Sequence, residues 1–263
     1  MHLELLIQQY KDNKDSGTEF IHHLLYECMK EVGNTDPFIR DQLAFNTFAQ
    51  CMIDENIDNN VLDDLVYRCI DNLKIYNSDI CDDIFKRTFS VLFLMSILYR
   101  DNMRHFLTHS QLRSISKAVI EYFINEKDTR GFVHRKGWAH GIAHASDAII
   151  EVIKNRNYDE SFTLTILEGI KVNLFKLQNN DMPYIDDEDE RMSGIIEVLL
   201  KYRRCHEDLI IHWINSLDIL DKLSGNQDIA YYRKLKNIKD FKKSLYFIMD
   251  DYPNVQHIIK SSL

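Results

Sequence analysis

The sequence predicts an all-α protein, and three observations predict it. Glycine and proline are scarce, 8 and 3 in 263 residues, whereas sandwiches and barrels need turn residues every few positions. Apolar residues recur at helical spacing along nearly the whole chain. No stretch alternates polar and apolar residues long enough, between turn dipeptides, to read as a half-buried strand.

The elements follow in order. In EFIHHLLYECMKEV, residues 19–32, Phe20, Leu24 and Cys28 share a stripe with Leu25 and Met29. Ser16 and Glu19 are spaced to close a capping box ahead of it. Asp36-Pro37 opens the next helix, with Asp as N-cap and Pro at the first helical position. Further helices are expected near 60–73, 82–101, 110–125, 136–155, 159–176, 188–203, 206–221, 227–236 and 239–249. Residues 179–189 and 223–228 read as loose segments. Aromatic stretches such as FKRTFSVLFLMSILY, and Trp213, read as core.

A repeat organises these helices. DPFIRDQLAFNTF, DIFKRTFSVLFLM, GFVHRKGWAHGIA and DEDERMSGIIEVL each place an arginine near a helix start, before apolar or small residues. The arginines are Arg40, Arg87, Arg135 and Arg191, separated by 47, 48 and 56 residues. That step is close to the roughly 40–47 residues of HEAT and armadillo units. The expected architecture is an α-solenoid of HEAT/armadillo-like hairpins, an α-α superhelix of about ten to twelve helices. Residues 1–263 are expected to form a single helical-repeat domain, with Arg40, Arg87 and Arg191 as a ladder between repeats and a concave face lined by the second helix of each pair.

Charge and cysteine content narrow the partners and the compartment. The net charge is −9, which repels a phosphate backbone, and no dense basic stretch compensates, so nucleic acid is disfavoured. The five cysteines are scattered and form no C-x-x-C pair. A disulfide framework and a zinc–thiolate site are therefore not expected. The amino terminus lacks a signal peptide's basic start and apolar stretch. The most apolar run, residues 91–99, falls well short of the roughly 18 residues that span a bilayer. A reduced, cytoplasmic location without membrane insertion is expected.

One segment differs from the rest. DTRGFVHRKGWAHGIAHASD, residues 128–147, holds three of the eight glycines, three of the eleven histidines and one of the two tryptophans. Read as helix from 136, it puts His140 and His144 on one face, followed by Asp147 and Glu151. Trp138, Ala139, Ile142 and Ala143 lie opposite, and Gly137 and Gly141 would leave a smooth groove. Asp128 and Gly131 suit a turn, the glycine by taking positive φ. Arg130, His134 and Arg135 make a positive cluster at its mouth, fit for an anion.

Two imidazoles four apart can share one ion, so a metal set of His140, His144 and Asp147 is a candidate. All three reaching one ion is strained, so Glu188 or Glu190 is a candidate further ligand, and zinc, iron or manganese suits the donors. A metal-free general acid–base site is the second reading. The bland reading has both histidines bonding neighbouring helices, Asp147 paired with an arginine of the next repeat, and Arg130 paired with the acidic run at 186–190. That run also reads as a helix start facing its dipole.

These residues also carry a resemblance. Asp128, Arg130 and Gly131, leading into Gly137, Trp138, His140, Ala143, His144 and Asp147, resemble the hallmark of a bacterial family, domain of unknown function 2785. DPFIRDQLAF, FKRTFSVLFL and Glu188–Arg191 are similar to other family segments, so the resemblance spans about 36 to 200. It implies a helical cytosolic protein and supplies no activity.

The leading functional expectation is an interaction scaffold or small-ligand-binding solenoid, its partner an unidentified protein or small molecule. Its groove would be lined by Asp128, Arg130, His134, Trp138, His140, His144, Asp147, Glu190 and Arg191. The alternatives are a metal-dependent hydrolase using His140, His144 and a carboxylate, and a HEAT-like DNA-base-processing protein, which the charge disfavours.

Overall fold

The computed structural model describes residues 2–13, 17–74, 81–178, 182–217 and 228–263. Helix α1 (His2–Asp12) and α2 (Thr18–Lys30) precede a π-helical stretch, Phe38–Phe45, which runs directly into α3 (Asn46–Asp54). Then come α4 (Asn59–Leu73), α5 (Asp83–Arg104) and α6 (His109–Asn125). A two-stranded hairpin, β1 (Phe132–Val133) and β2 (Gly137–Trp138), leads to α7 (Gly141–Lys154). The chain continues through α8 (Thr163–Leu174), α9 (Glu188–Lys201), α10 (Glu207–Ser216), α11 (Ile229–Ile248) and α12 (Pro253–Ser261). The all-α class holds, with the small hairpin added.

Packing follows two tracks. Helix α3 packs on α5, α5 on α7, α7 on α9 and α9 on α11, while α4 packs on α6 and α6 on α8. Helix α5 is buried on several faces, from Phe85 and Phe89 round to Phe93, Leu94 and Ile97, as its nearly unbroken apolar sequence requires. Helix α7 lies between α5, α6 and α9. Ala143, Ala145 and Ala148, all buried, keep it slim enough for that position.

A recurring device ties successive hairpins together. Arg100 Nη1 donates to Met52 O at the end of α3, 48 residues back. Lys176 Nζ donates to Ile124 O at the end of α6, 52 back. Arg204 Nε donates to Ile153 O at the end of α7, 51 back. Each cation meets the carbonyls that a helix C-terminus leaves unbonded, where the dipole favours positive charge.

Arg40, Arg87 and Arg191, expected as a ladder, each reach across to another segment but to different kinds of partner. Arg40 is fully buried, with its guanidinium over the Phe85 and Phe89 rings at 4.2 and 4.5 Å. Arg87 pairs with Glu126, Arg135 sits exposed in the hairpin turn with φ 64°, and Arg191 pairs with Asp147.

The largest correction concerns 136–140. Helix was expected from 136, but α7 begins at Gly141. Arg135, Gly137 and His140 are all left-handed, with φ of 64°, 77° and 48°, which an α-helix does not accommodate. Phe132 pairs with Trp138 and Val133 with Gly137. Arg40 Nη2 reaches across to Lys136 O at 2.8 Å and pins the turn. A Cβ on Gly137 would lie 2.8 Å from Pro37 Cβ, so its bareness lets the hairpin dock.

Elsewhere, the segments expected at 227–236 and 239–249 form one helix, α11. Nothing between them breaks it, and Asn237 turns inward, donating to Lys176 O and accepting from Tyr184 N, each at 2.9 Å. Helices α1 and α12 were not expected. The Ser16 cap, residues 179–181 and 223–227 of the loose segments, and the end of the helix expected at 206–221 lie outside the described residues.

Candidate functional site

The unusual segment builds a notch from three pieces: the hairpin, the first turn of α7, and residues 183–191 leading into α9. Two backbone bonds carry the hairpin pairing onward, from Ala139 N to Gly131 O (2.8 Å) and from His140 N to Arg130 O (3.1 Å). His140 is therefore the N-cap residue of α7, in left-handed conformation, and its ring is placed by the backbone and not by a helix face.

The base of the notch is a satisfied polar network. Arg87 donates to Glu126 from Nε at 2.7 Å and from Nη2 at 2.9 Å, with both side chains almost fully buried. Glu126 Oε1 also accepts from Asp128 N at 2.9 Å. Asp128 in turn holds Arg130 through Nε at 2.9 Å and Nη2 at 2.6 Å, and Arg130 Nη2 donates to Cys81 O. Arg130 is thus committed to Asp128, not to the acidic run at 186–190, while His134 and Arg135, the rest of the expected positive mouth, are exposed in the hairpin turn. Asp128 and Arg130 brace the turn.

Gly131 has a second use. Its φ is not positive, contrary to expectation. Instead, a Cβ there would fall 1.9 Å from Asp186 Oδ2. The missing side chain admits Asp186, which accepts a hydrogen bond from Phe132 N at 3.1 Å.

The aromatic wall is Trp138, Phe132 and His140. Trp138 is 41% exposed. It stacks on His140 at 4.3 Å and meets the edge of Phe132 at 5.0 Å. Behind His140 lies His144, with ring centroids 5.7 Å apart and nearly perpendicular. The four-residue spacing survives the correction because His144 N bonds His140 O at 2.9 Å.

The two imidazoles differ in their partners. His144 Nδ1 is 2.9 Å from Thr88 Oγ1, and its ring meets Phe89 edge-on. Burial pushes its pKa down to about 3, with the positive charges of His140, Arg191 and Arg40 adding. His140 Nε2 is buried and has no hydrogen-bond partner among the described residues. Burial lowers its pKa too, against the pull of the nearby Asp186 carboxylate and of a contact between the imidazole and the Asp186 backbone.

On the facing side, Glu188 opens α9 and is 1% exposed. Its Oε2 accepts from Asp186 N at 3.0 Å, while Oε1 is buried without a partner among the described residues. Burial raises its pKa to about 7, against the pull of the Glu188 and Asp186 backbone N–H groups. The Tyr184 hydroxyl nearby is also buried and unpartnered.

The metal set expected from the sequence is rearranged. Asp147 is held by Arg191 Nη1, with both carboxylate oxygens at 3.0 Å, as the bland reading had it. The donors that come together are His140, Asp186 and Glu188, whose ligand atoms lie within 4.8 Å of one another. His134 is exposed in the hairpin turn and Glu190 is exposed on α9, neither joining them. Glu188 was a candidate further ligand. Asp186 and Phe132 were not foreseen, and the signal that pointed to Asp186 was the bare Gly131 opposite it.

A family model described as protein of unknown function (DUF2785) matches residues 74–247, well over half of the chain. The chain belongs to this family. The DUF2785 match takes in the hairpin, α7 and α9, and reaches beyond the segment whose resemblance was noted. It leaves out residues 36–45, so Arg40, which pins the hairpin, lies outside it. Comparison with curated proteins and with solved structures found no match.

Proposed function

We propose that this protein binds a small, planar, polar ligand in the notch around Trp138 and His140, on an α-solenoid scaffold formed by residues 1–263 as one helical-repeat domain. The repeat reading is supported by the sequential packing of α3, α5, α7, α9 and α11. It is supported equally by the cations that bond helix ends 48, 52 and 51 residues back. That is the nearest-neighbour logic of a stack of hairpins.

One observation carries the site. Among the described residues, His140 Nε2 is buried without a well-formed hydrogen bond, the Asp186 backbone being its nearest polar neighbour, beneath an indole that remains 41% exposed. An unmet buried polar atom costs about 1–3 kcal/mol, and a ligand stacked on the indole with a polar edge toward His140 would remove that cost. A hydrolase built on His140, His144 and Asp147 is less well supported. Burial holds the His144 pKa down at about 3, which makes it a weak base, and Asp147 is held by Arg191. A DNA-base-processing role is disfavoured by the −9 charge and by the inward commitment of Arg40, Arg87 and Arg130.

Among the described residues, no helix is long and apolar enough to cross a membrane. Cys28, Cys51 and Cys69 are buried free thiols, which supports a reducing, cytoplasmic setting.

Tryptophan fluorescence tests the reading. Trp213 is buried and donates to Leu167 O, so Trp213→Phe leaves Trp138 as the sole reporter. Screening heteroaromatic metabolites, we expect a saturable change in Trp138 emission that His140→Ala abolishes. A flat response across the panel, together with no retained small molecule in native mass spectra of the purified protein, would refute it.

A further inference from the structure

We propose that His140, Asp186 and Glu188 hold one divalent transition-metal ion, zinc, iron(II) or manganese, in the notch. This deepens the ligand-binding reading and rests on the same notch, because the ion would be part of what the notch presents to a ligand.

Three independent features converge on this set. The first is distance: the three donor atoms lie within 4.8 Å of one another. Donors bonded at roughly 2.1 Å to one tetrahedral ion are about 3.4 Å apart. Closure therefore needs the widest pair to approach by at most about 1.4 Å, within reach of χ rotations at the half-buried Asp186 and His140.

The second is hydrogen bonding. Among the described residues, Glu188 Oε1 and His140 Nε2 are both buried without a partner. They come from segments 48 residues apart in sequence. Buried carboxylates are normally paired or bound to metal, and Glu188 is 1% exposed with no cationic side chain bonded to it.

The third is orientation by neighbours. Glu188 Oε2 is fixed by Asp186 N and Asp186 Oδ2 by Phe132 N, while the stacked Trp138 sets the His140 ring. Metal ligands are characteristically oriented by such outer contacts. Gly131 belongs to the design, since any side chain there would displace Asp186.

One imidazole and two carboxylates suit borderline ions better than calcium or magnesium, which prefer all-oxygen shells. Three protein donors leave at least one coordination position for water or a bound ligand. His2, His23 and Glu27 also lie within 4.8 Å of one another. Both of those imidazoles are exposed and Glu27 is engaged by Lys30, so that cluster is a surface background.

The test uses the full chain with His23→Ala to remove that background. After chelator treatment and dialysis, Zn²⁺ is titrated calorimetrically and Co²⁺ by visible absorption. We expect one ion per chain, with affinity lowered about tenfold or more in His140→Ala, Asp186→Asn and Glu188→Gln. Gly131→Ala should weaken binding without removing a donor. Asp147→Asn, which alters the set expected from spacing alone, should bind as the parent does. If one ligand variant does not fold by circular dichroism, the remaining variants decide. No stoichiometric binding by the parent, or parental affinity in the folded ligand variants, overturns the metal. If the metal fails while a compound still changes Trp138 emission in a His140-dependent way, the ligand-binding reading stands without the ion. If the ion binds and no compound does, the metal stands and the organic ligand falls.

Discussion

Glu126 and Glu188 are the same residue at similar burial, 3% and 1% exposed, and they sit on opposite sides of one notch. Glu126 has every partner a carboxylate needs: two bonds from Arg87 and one from Asp128 N. Glu188 has one backbone donor and a free, buried Oε1. A charge in a folded interior is tolerated when it is paired and is otherwise a standing cost. The first glutamate is accounted for by architecture. The second is not, and that difference distinguishes a brace from a site.

The sharpest way to break the contrast is at the brace. Arg87→Ala strips the Glu126 carboxylate of its two-bonded guanidinium partner, leaving only Lys176, which bonds the Glu126 backbone carbonyl, nearby; breaking a buried pair in this way costs about 3–5 kcal/mol. Urea unfolding should show it as a large drop in midpoint at unchanged slope. A loss under about 1 kcal/mol would mean that Glu126 finds other partners and the two glutamates are alike.

Next comes Gly141, which lies against the same braced side. A Cβ there would stand 2.8 Å from the Tyr122 hydroxyl and 3.4 Å from Ile84 Cδ1. Both neighbours are fully buried, so neither can swing away. Gly141→Leu should cost about 1–3 kcal/mol or more by overpacking, read as a melting temperature lowered by several degrees. A melt within a degree or two of the parent would show that the brace is softer than its geometry.

Much of the helical fold was legible in the sequence, the division between brace and site was not, and the failures were physical. Helix positions were legible because burial of one stripe imposes the period, as α5 and α9 show. The closeness of His140 and His144 was legible as well, though for the wrong reason. The spacing implied a shared helix face, whereas the contact comes from a left-handed cap residue immediately before its helix. The hairpin was invisible because its strands are two residues long and are held by distant groups, Arg40 on Lys136 O above all. Asp186 was hidden because an acidic run before a helix has a sufficient local explanation in the dipole. Only the approach of a segment more than 50 residues away gives it a second one.

His144 lies between the two regions and sharpens the comparison through pH. Its folded pKa is pushed down to about 3 by burial, while the unfolded imidazole titrates near 6.5. The folded state therefore binds fewer protons than the unfolded one between those values. Stability from this group is intact above about pH 6.5 and falls as pH drops toward 3, by up to about 1.4 kcal/mol per unit. The groups around it are His140, Arg191, Arg40, Thr88 and Phe89, none of which supplies a negative charge to relieve it. Melts in chelator from pH 7.5 to 5 should slope downward, and His144→Asn should flatten part of that slope. An unchanged slope in the variant would place the titration elsewhere.

The smallest expected effect returns to the glutamates and separates them most cleanly. Glutamine is nearly isosteric with glutamate and keeps an oxygen to accept a backbone N–H. At Glu126 the exchange removes the charge that Arg87 depends on, so Glu126→Gln should be strongly destabilising. At Glu188 the same exchange leaves the acceptor for Asp186 N in place and removes a carboxylate that has no cation to lose. Without metal, Glu188→Gln should therefore melt within about 1 kcal/mol of the parent, or above it. A protein arranged only for stability would not retain a glutamate that glutamine replaces at no cost. A loss at Glu188 matching that at Glu126 would reveal a structural partner for Oε1 and make the second glutamate another brace.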